Sequence, residues 1–228
     1  MNLQLPLGVE LPPTATLDAF VGYTNAAARS GVAALVAGQG ERLYLHGPQA
    51  TGKSHLLQAA CRAVADQGGR SAYLPLRQLG TRVQSMLPGM EMLDCLCLDD
   101  VGAVVGDRAT EIALVGLIDG LRARGARLLV ADRYPVTELP MALADLASRL
   151  LWGSVHALVE PDDADKERLL IQRAAQRGMQ LPAATARYLL RHGERDVPTL
   201  MAALARLDTA SLAAQRRLTI PFVKQALS

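Results

Sequence analysis

The stretch Arg42-Leu43-Tyr44-Leu45-His46-Gly47-Pro48-Gln49-Ala50-Thr51-Gly52-Lys53-Ser54 decides the fold of this 228-residue chain. Residues 42–46 read as a strand, residues 47–54 fit the pattern G-x-x-x-x-G-K-[ST], and a helical period opens at Lys53. Strand, glycine-bounded loop and helix start, in that order, build a cradle for phosphate. The loop amides and the positive end of the helix face the anion, Lys53 reaches the β- and γ-phosphates, and the Ser54 hydroxyl binds Mg2+. Gly47 and Gly52, at the two ends of the loop, join Lys53 and Ser54 in the cofactor-binding set. Residue usage points the same way: the chain has 21 Arg and three Lys, and Lys53 is the sole lysine before residue 166.

Working outward, helix-length and strand-length segments alternate: helix 25–38, strand 42–46, helix 53–67, strand 71–75, strand 93–98, strand 127–131 and a last strand near 155–159. Leu114, Leu117, Ile118 and Leu121 recur at helical spacing before the fourth strand. The strand runs are apolar throughout, as parallel strands covered on both faces must be. The expected core is an α/β unit over residues 14–160, a five-stranded parallel sheet flanked by helices. After Pro161 the strand signal stops, and helical patterns over 162–177, 182–192, 196–210 and 220–227 predict a small all-helical lid at 161–228. Leu200, Leu204 and Leu207 give its third helix an apolar stripe. Residues 1–13 lack periodicity and read as an extended tail.

The third strand ends in Leu96-Cys97-Leu98-Asp99-Asp100, carboxylates at the carboxyl end of a parallel strand, beside the phosphate loop. This reads as a Walker B segment. Asp99 is expected to hold Mg2+ through its water shell, and Asp100 to stand where many such ATPases place a Glu that orients the attacking water.

Composition narrows the alternatives. Half of the residues are hydrophobic, one fifth are charged and the mean hydropathy is +0.15, which excludes a disordered chain. No apolar run approaches the roughly 18 residues that span a bilayer, and no Lys or Arg precedes Arg29, so neither a membrane segment nor a secretory signal is expected. The net charge of +2 is too small for an autonomous duplex-DNA binder. Residues 1–160 carry 13 basic and 15 acidic side chains and residues 161–228 carry 11 and 7, an excess spread along helical patterns that suits a solvated face. Cys61, Cys95 and Cys97 read as buried thiols. The four histidines show no metal-ligand spacing.

In order and spacing, these motifs and their surroundings resemble the AAA+ domain of the replication initiator DnaA and, most of all, the DnaA-related regulators called Hda. Phe20-Val21-Gly22 with Asn25 is similar to the segment that packs on adenine in the initiator. Asp132-Arg133-Tyr134-Pro135 matches the sensor 1 region, and Leu146-Ala147-Ser148-Arg149-Leu150-Leu151-Trp152-Gly153 matches box VII, which carries the family's arginine finger. Leu218-Thr219-Ile220-Pro221-Phe222-Val223-Lys224 is similar to the end of Hda proteins. At the other terminus, Gln4-Leu5-Pro6-Leu7-Gly8-Val9 resembles the peptide through which replication proteins dock on the sliding clamp.

The resemblance implies ADP or ATP with Mg2+ as cofactors, Val21 and Asp132 among the nucleotide contacts, Arg149 as a finger acting in trans, and Gln4, Leu5 and Leu7 as clamp contacts. It implies DnaA and the sliding clamp, the β subunit of DNA polymerase III, as partners in a bacterial cytoplasm. The expected role is negative regulation of replication initiation. The initiator's helix-turn-helix module has no counterpart in the sequence, so sequence-specific DNA binding is not expected; assembly with further copies of the chain stays open. One departure stands out: Asp196-Val197-Pro198-Thr199-Leu200 places Pro198 where the family has its sensor 2 arginine, and proline brings no cation. Arg195 lies close by in sequence. Two rival readings remain, a helicase loader of the DnaC type and a non-hydrolysing adaptor whose P-loop is structural.

Overall fold

The computed structural model describes residues 11–12, 14–214 and 216–227; Gln4, Leu5 and Leu7 lie outside the described residues. The chain forms two compact units, one from Ala26–Val159 with the residues up to Phe20, the other from Glu160 onward with Val21–Asn25.

In the first unit, five strands, β1 (Arg42–His46), β2 (Ser71–Pro75), β3 (Cys95–Asp99), β4 (Arg127–Asp132) and β5 (Ser154–Ala157), form one sheet in the order β2-β3-β4-β1-β5. Every pairing is parallel. Alternation along the strands feeds two cores. Tyr44, Leu74, Leu96, Leu98, Leu128 and Val130 enter one layer with Leu114, Ile118 and Leu121 of α5 (Arg108–Ala123) and Leu146 of α6 (Ala144–Leu150). Leu43, Leu45, Cys95, Cys97 and Leu129 enter the other, under α1 (Ala26–Val36) and α2 (Lys53–Asp66). Both faces are covered, so residues at consecutive positions are all apolar.

β5 departs from that rule. Ser154, Val155 and Ala157 are exposed, unlike β2 at the opposite edge, which is covered, and the strand is shorter than the expected 155–159. Residues 76–92, without a clear period in sequence, form the one-turn helices α3 (Leu76–Leu79) and α4 (Val83–Met86) with 3-10 turns around them, and bury Leu76, Val83 and Met90. The third strand begins at Cys95 rather than at Leu93, which closes a 3-10 turn.

The second unit packs α7 (Asp163–Gln176), α8 (Ala183–His192), α9 (Val197–Ala214) and α10 (Ile220–Leu227). Leu170, Ala174, Leu189, Leu200, Leu204, Leu207 and Phe222 are its core. Val21–Asn25 belongs to this unit, whereas the division at residue 160 leaves it in the core domain. The reason is Asp165, a carboxylate 1% exposed. It accepts from the amides of Tyr23 (3.1 Å) and Thr24 (3.4 Å), from the Thr24 hydroxyl (3.0 Å) and from Arg168 Nη2 (2.6 Å).

Candidate nucleotide site

The β1–α2 loop takes a shape that its glycines permit. Gly47 has φ +146° and Gly52, the N-cap of α2, has φ +98°. A Cβ on Gly47 would collide with the Leu158 carbonyl oxygen, and one on Gly52 with the Phe20 ring. Ala50 and Asp100 are the non-glycine residues with left-handed φ among the described residues, +63° and +57°. Both flank this site, where surrounding structure over-determines the backbone. The Gly47 amide donates to the Arg133 carbonyl at 3.2 Å and so ties the loop to the end of β4. At the start of α2 the cap residue offers no side-chain acceptor, which leaves first-turn amides available to an anion.

Lys53 is 8% exposed, and its ammonium donates to the carbonyls of Gly47 (2.7 Å) and Pro48 (2.6 Å). It therefore sits over the loop that an anion would enter. Burial lowers its pKa, opposed by Asp99, Asp100 and Asp132, with Arg133 acting in the same sense as burial. Its hydrogen-bond partners are carbonyl oxygens and not carboxylates, which leaves its charge available to an anion in the loop.

Strand register sets Asp99 and Asp132 one residue apart along the sheet. His46 pairs with Asp132 and Asp99 with Ala131, so the carboxyl ends of β1, β3 and β4 share one rim, with β4 between the other two. Asp99 is 5% exposed. Burial raises its pKa, opposed by the nearby Ser54 hydroxyl and by Tyr73, whose Oη donates to Oδ2 at 2.6 Å. Ser54 and Asp99, the two expected Mg2+ contacts, are thus near enough for the hydroxyl to act on the carboxyl. Among the described residues no cluster of three or more His, Cys, Asp or Glu could hold a metal by itself.

The other expected residues are engaged otherwise. Both oxygens of Asp132 accept backbone amides, of Gly102 at 2.5 Å and Tyr134 at 3.0 Å, so the carboxylate braces the turn after β3 against the end of β4. Asp100 pairs with Arg77 of α3 at 3.0 Å. Arg149 does not stand free on its helix flank: Nε and Nη2 each donate to Asp119 at 2.8 Å. In the second unit, Pro198 lies in the first turn of α9, and Arg195 pairs with Asp163 at 3.7 Å. Val21 is half-buried in the segment held by Asp165.

Tyr73, Arg77 and Asp119 were not singled out by sequence. Tyr73 had a signal, a phenol inside an apolar strand, whose buried hydroxyl needs a partner. The other two had none.

Comparison with known proteins fits this geometry. Residues 163–227 match the family model described as Hda, lid domain. The fold is similar to domain III of the replication initiation protein DnaA from Thermotoga maritima, at 21% identity and TM-score 0.84, over 96% of this chain and 98% of that one. It is similar also to AMPPCP-bound DnaA from Aquifex aeolicus (22% identity, TM-score 0.74, 90% of this chain and 68% of that one). A RuvB structure from Thermotoga maritima shares the fold at 16% identity and TM-score 0.69, over 95% of this chain and 72% of that one. The chain thus combines a P-loop-patterned turn on a β2-β3-β4-β1-β5 parallel sheet, in the fold of DnaA domain III, with a C-terminal segment that matches the Hda lid model.

Proposed function

We propose that this protein is a negative regulator of replication initiation that binds ADP or ATP with Mg2+, docks on the DNA-loaded sliding clamp and stimulates hydrolysis of the ATP held by DnaA. The Hda lid match at 163–227, behind a core whose Lys53, Ser54 and Asp99 converge on one loop, is the observation that carries the reading. Lys53 and the loop amides would hold the phosphates, and Ser54 and Asp99 would hold a hydrated Mg2+, which when bound neutralises phosphate charge. Gln4, Leu5 and Leu7 would fill the clamp's peptide groove, and Arg149 would reach the nucleotide of DnaA. Little turnover by the chain alone is expected, since Asp100 is occupied by Arg77, Pro198 supplies no cation and Arg195 is paired with Asp163.

The test is decay of DnaA-bound ATP with clamp and DNA present. Adding the chain should accelerate it by about 10³-fold or more, the range an arginine finger supplies. Replacing Gln4 and Leu5 with Ala should remove clamp binding and stimulation together while ADP affinity persists. Absence of stimulation by the wild-type chain would reject the reading. The adaptor alternative draws support from Pro198, and it predicts that Lys53→Ala leaves stimulation unchanged.

A further inference from the structure

We propose that Asp119 is the positioning residue for Arg149, holding the guanidinium by one edge so that its tip is presented in a fixed orientation. The proposal rests on the reading of Arg149 as a finger acting on a neighbour's phosphate.

A guanidinium has five N–H donors. Three are used here: Nε to Asp119 Oδ1 and Nη2 to Asp119 Oδ2, both at 2.8 Å, and Nη1 to the Asp145 carbonyl at 3.1 Å. One N–H therefore remains on each terminal nitrogen without a hydrogen bond, at the end of the side chain farthest from the backbone, with the exposed Asp145 carboxylate 3.6 Å from Nη1. The Arg149 side chain is 23% exposed, so it has been immobilised against the protein without being buried. A bidentate carboxylate fixes the plane of the fork as a single acceptor cannot. Rotamer freedom is lost before the encounter, and the reacting geometry does not have to be found during it.

The same helix sets the position of α6 itself. Glu111 of α5, fully buried, accepts the amides of Ala142 (2.9 Å) and Leu143 (2.7 Å) just before α6. Two turns further on, Asp119 takes Arg149 in the last turn of α6. Asp119 also feels Arg42 and Arg122, and the Arg122 guanidinium covers the Trp152 ring that Arg42 approaches. Surrounding guanidiniums keep the carboxylate ionised, its pKa lowered first by the Arg149 hydrogen bonds.

A latch that merely hides the finger uses the same contact and predicts the opposite. Asp119→Asn keeps size but offers one acceptor and an opposed NH2 group. In a titration against DnaA, clamp and DNA, positioning predicts that maximal stimulation falls about tenfold or more, that the half-saturating concentration stays put, and that Asp119→Glu recovers part of the loss. The Arg149 Nε–H resonance, identified by its disappearance in Arg149→Lys, should be visible in wild type and lost to solvent exchange in Asp119→Asn. Both variants must melt above the assay temperature, and if the Asn variant does not, Asp119→Glu carries the test through the same resonance and the same titration. Unchanged or increased stimulation in Asp119→Asn, or an unaltered Nε–H signal, overturns the proposal. Full stimulation by Arg149→Ala would instead overturn the finger reading on which it rests.

Discussion

Gly47 and Lys53 show how much chemistry one loop concentrates. At Gly47 the backbone occupies φ +146° with the Leu158 carbonyl where a Cβ would be, so Gly47→Ala must shift the loop against β5. We expect a lower melting temperature and loss of nucleotide affinity together. Lys53→Ala should separate the two. Its ammonium bonds to two loop carbonyls, contacts that water can replace, whereas phosphate charge without the lysine stays uncompensated. Calorimetry should find ADP binding weakened at least about a hundredfold, on the order of 2.7 kcal/mol, with the fold intact. Undiminished affinity would mean that the cradle holds no phosphate.

At the scale of elements, α7 does more than pack the lid. Asp165 in its first turn anchors Val21–Asn25 through two amides and a hydroxyl and is held by Arg168. Asp165→Ala leaves those donors without their acceptor, a loss of about 2 kcal/mol, and should free the 21–25 segment to hydrogen exchange while α8 and α9 stay protected. The carboxyl also gives a pH signature. Burial pushes its pKa up, but the Arg168 pair and the amides of Tyr23 and Thr24 outweigh this and hold it below the usual carboxylate value. Its stabilisation is therefore full above the unfolded pKa of about 4 and disappears as pH falls through the lower folded value. Urea titrations of Asp165→Ala and wild type should converge in that acid window; a constant difference at all pH values would contradict the assignment. β5 makes the complementary point: with Val155 exposed at an edge, a lysine there should change stability by less than about 0.5 kcal/mol.

For the molecule as a whole, the covered sheet predicts silent thiols. Cys61, Cys95 and Cys97 are all buried and free, and burial pushes the Cys61 thiol up to about 11, so almost no thiolate exists near neutral pH. The native protein should resist alkylation and release three reactive thiols on unfolding in guanidinium. No described helix is long and apolar enough to cross a membrane, in agreement with the sequence.

What was legible in the sequence was local or periodic. The 42–54 stretch declared a strand, a loop and a helix start because its glycines, lysine and serine stand within eight residues of one another, and β2 falls where its apolar run does because both faces of the sheet are covered. The four lid helices followed from a 3.6-residue period, which needs no knowledge of distant partners. Tertiary structure decided the pairings across long separations: Tyr73 with Asp99, 26 residues apart, Arg149 with Asp119, 30 apart, and Tyr23 with Asp165, 142 apart. No period encodes these contacts. They exist because strand order and helix packing bring donors and acceptors from distant segments together, and the buried ones among them, Asp99 and Asp165, must find partners wherever the fold has placed them.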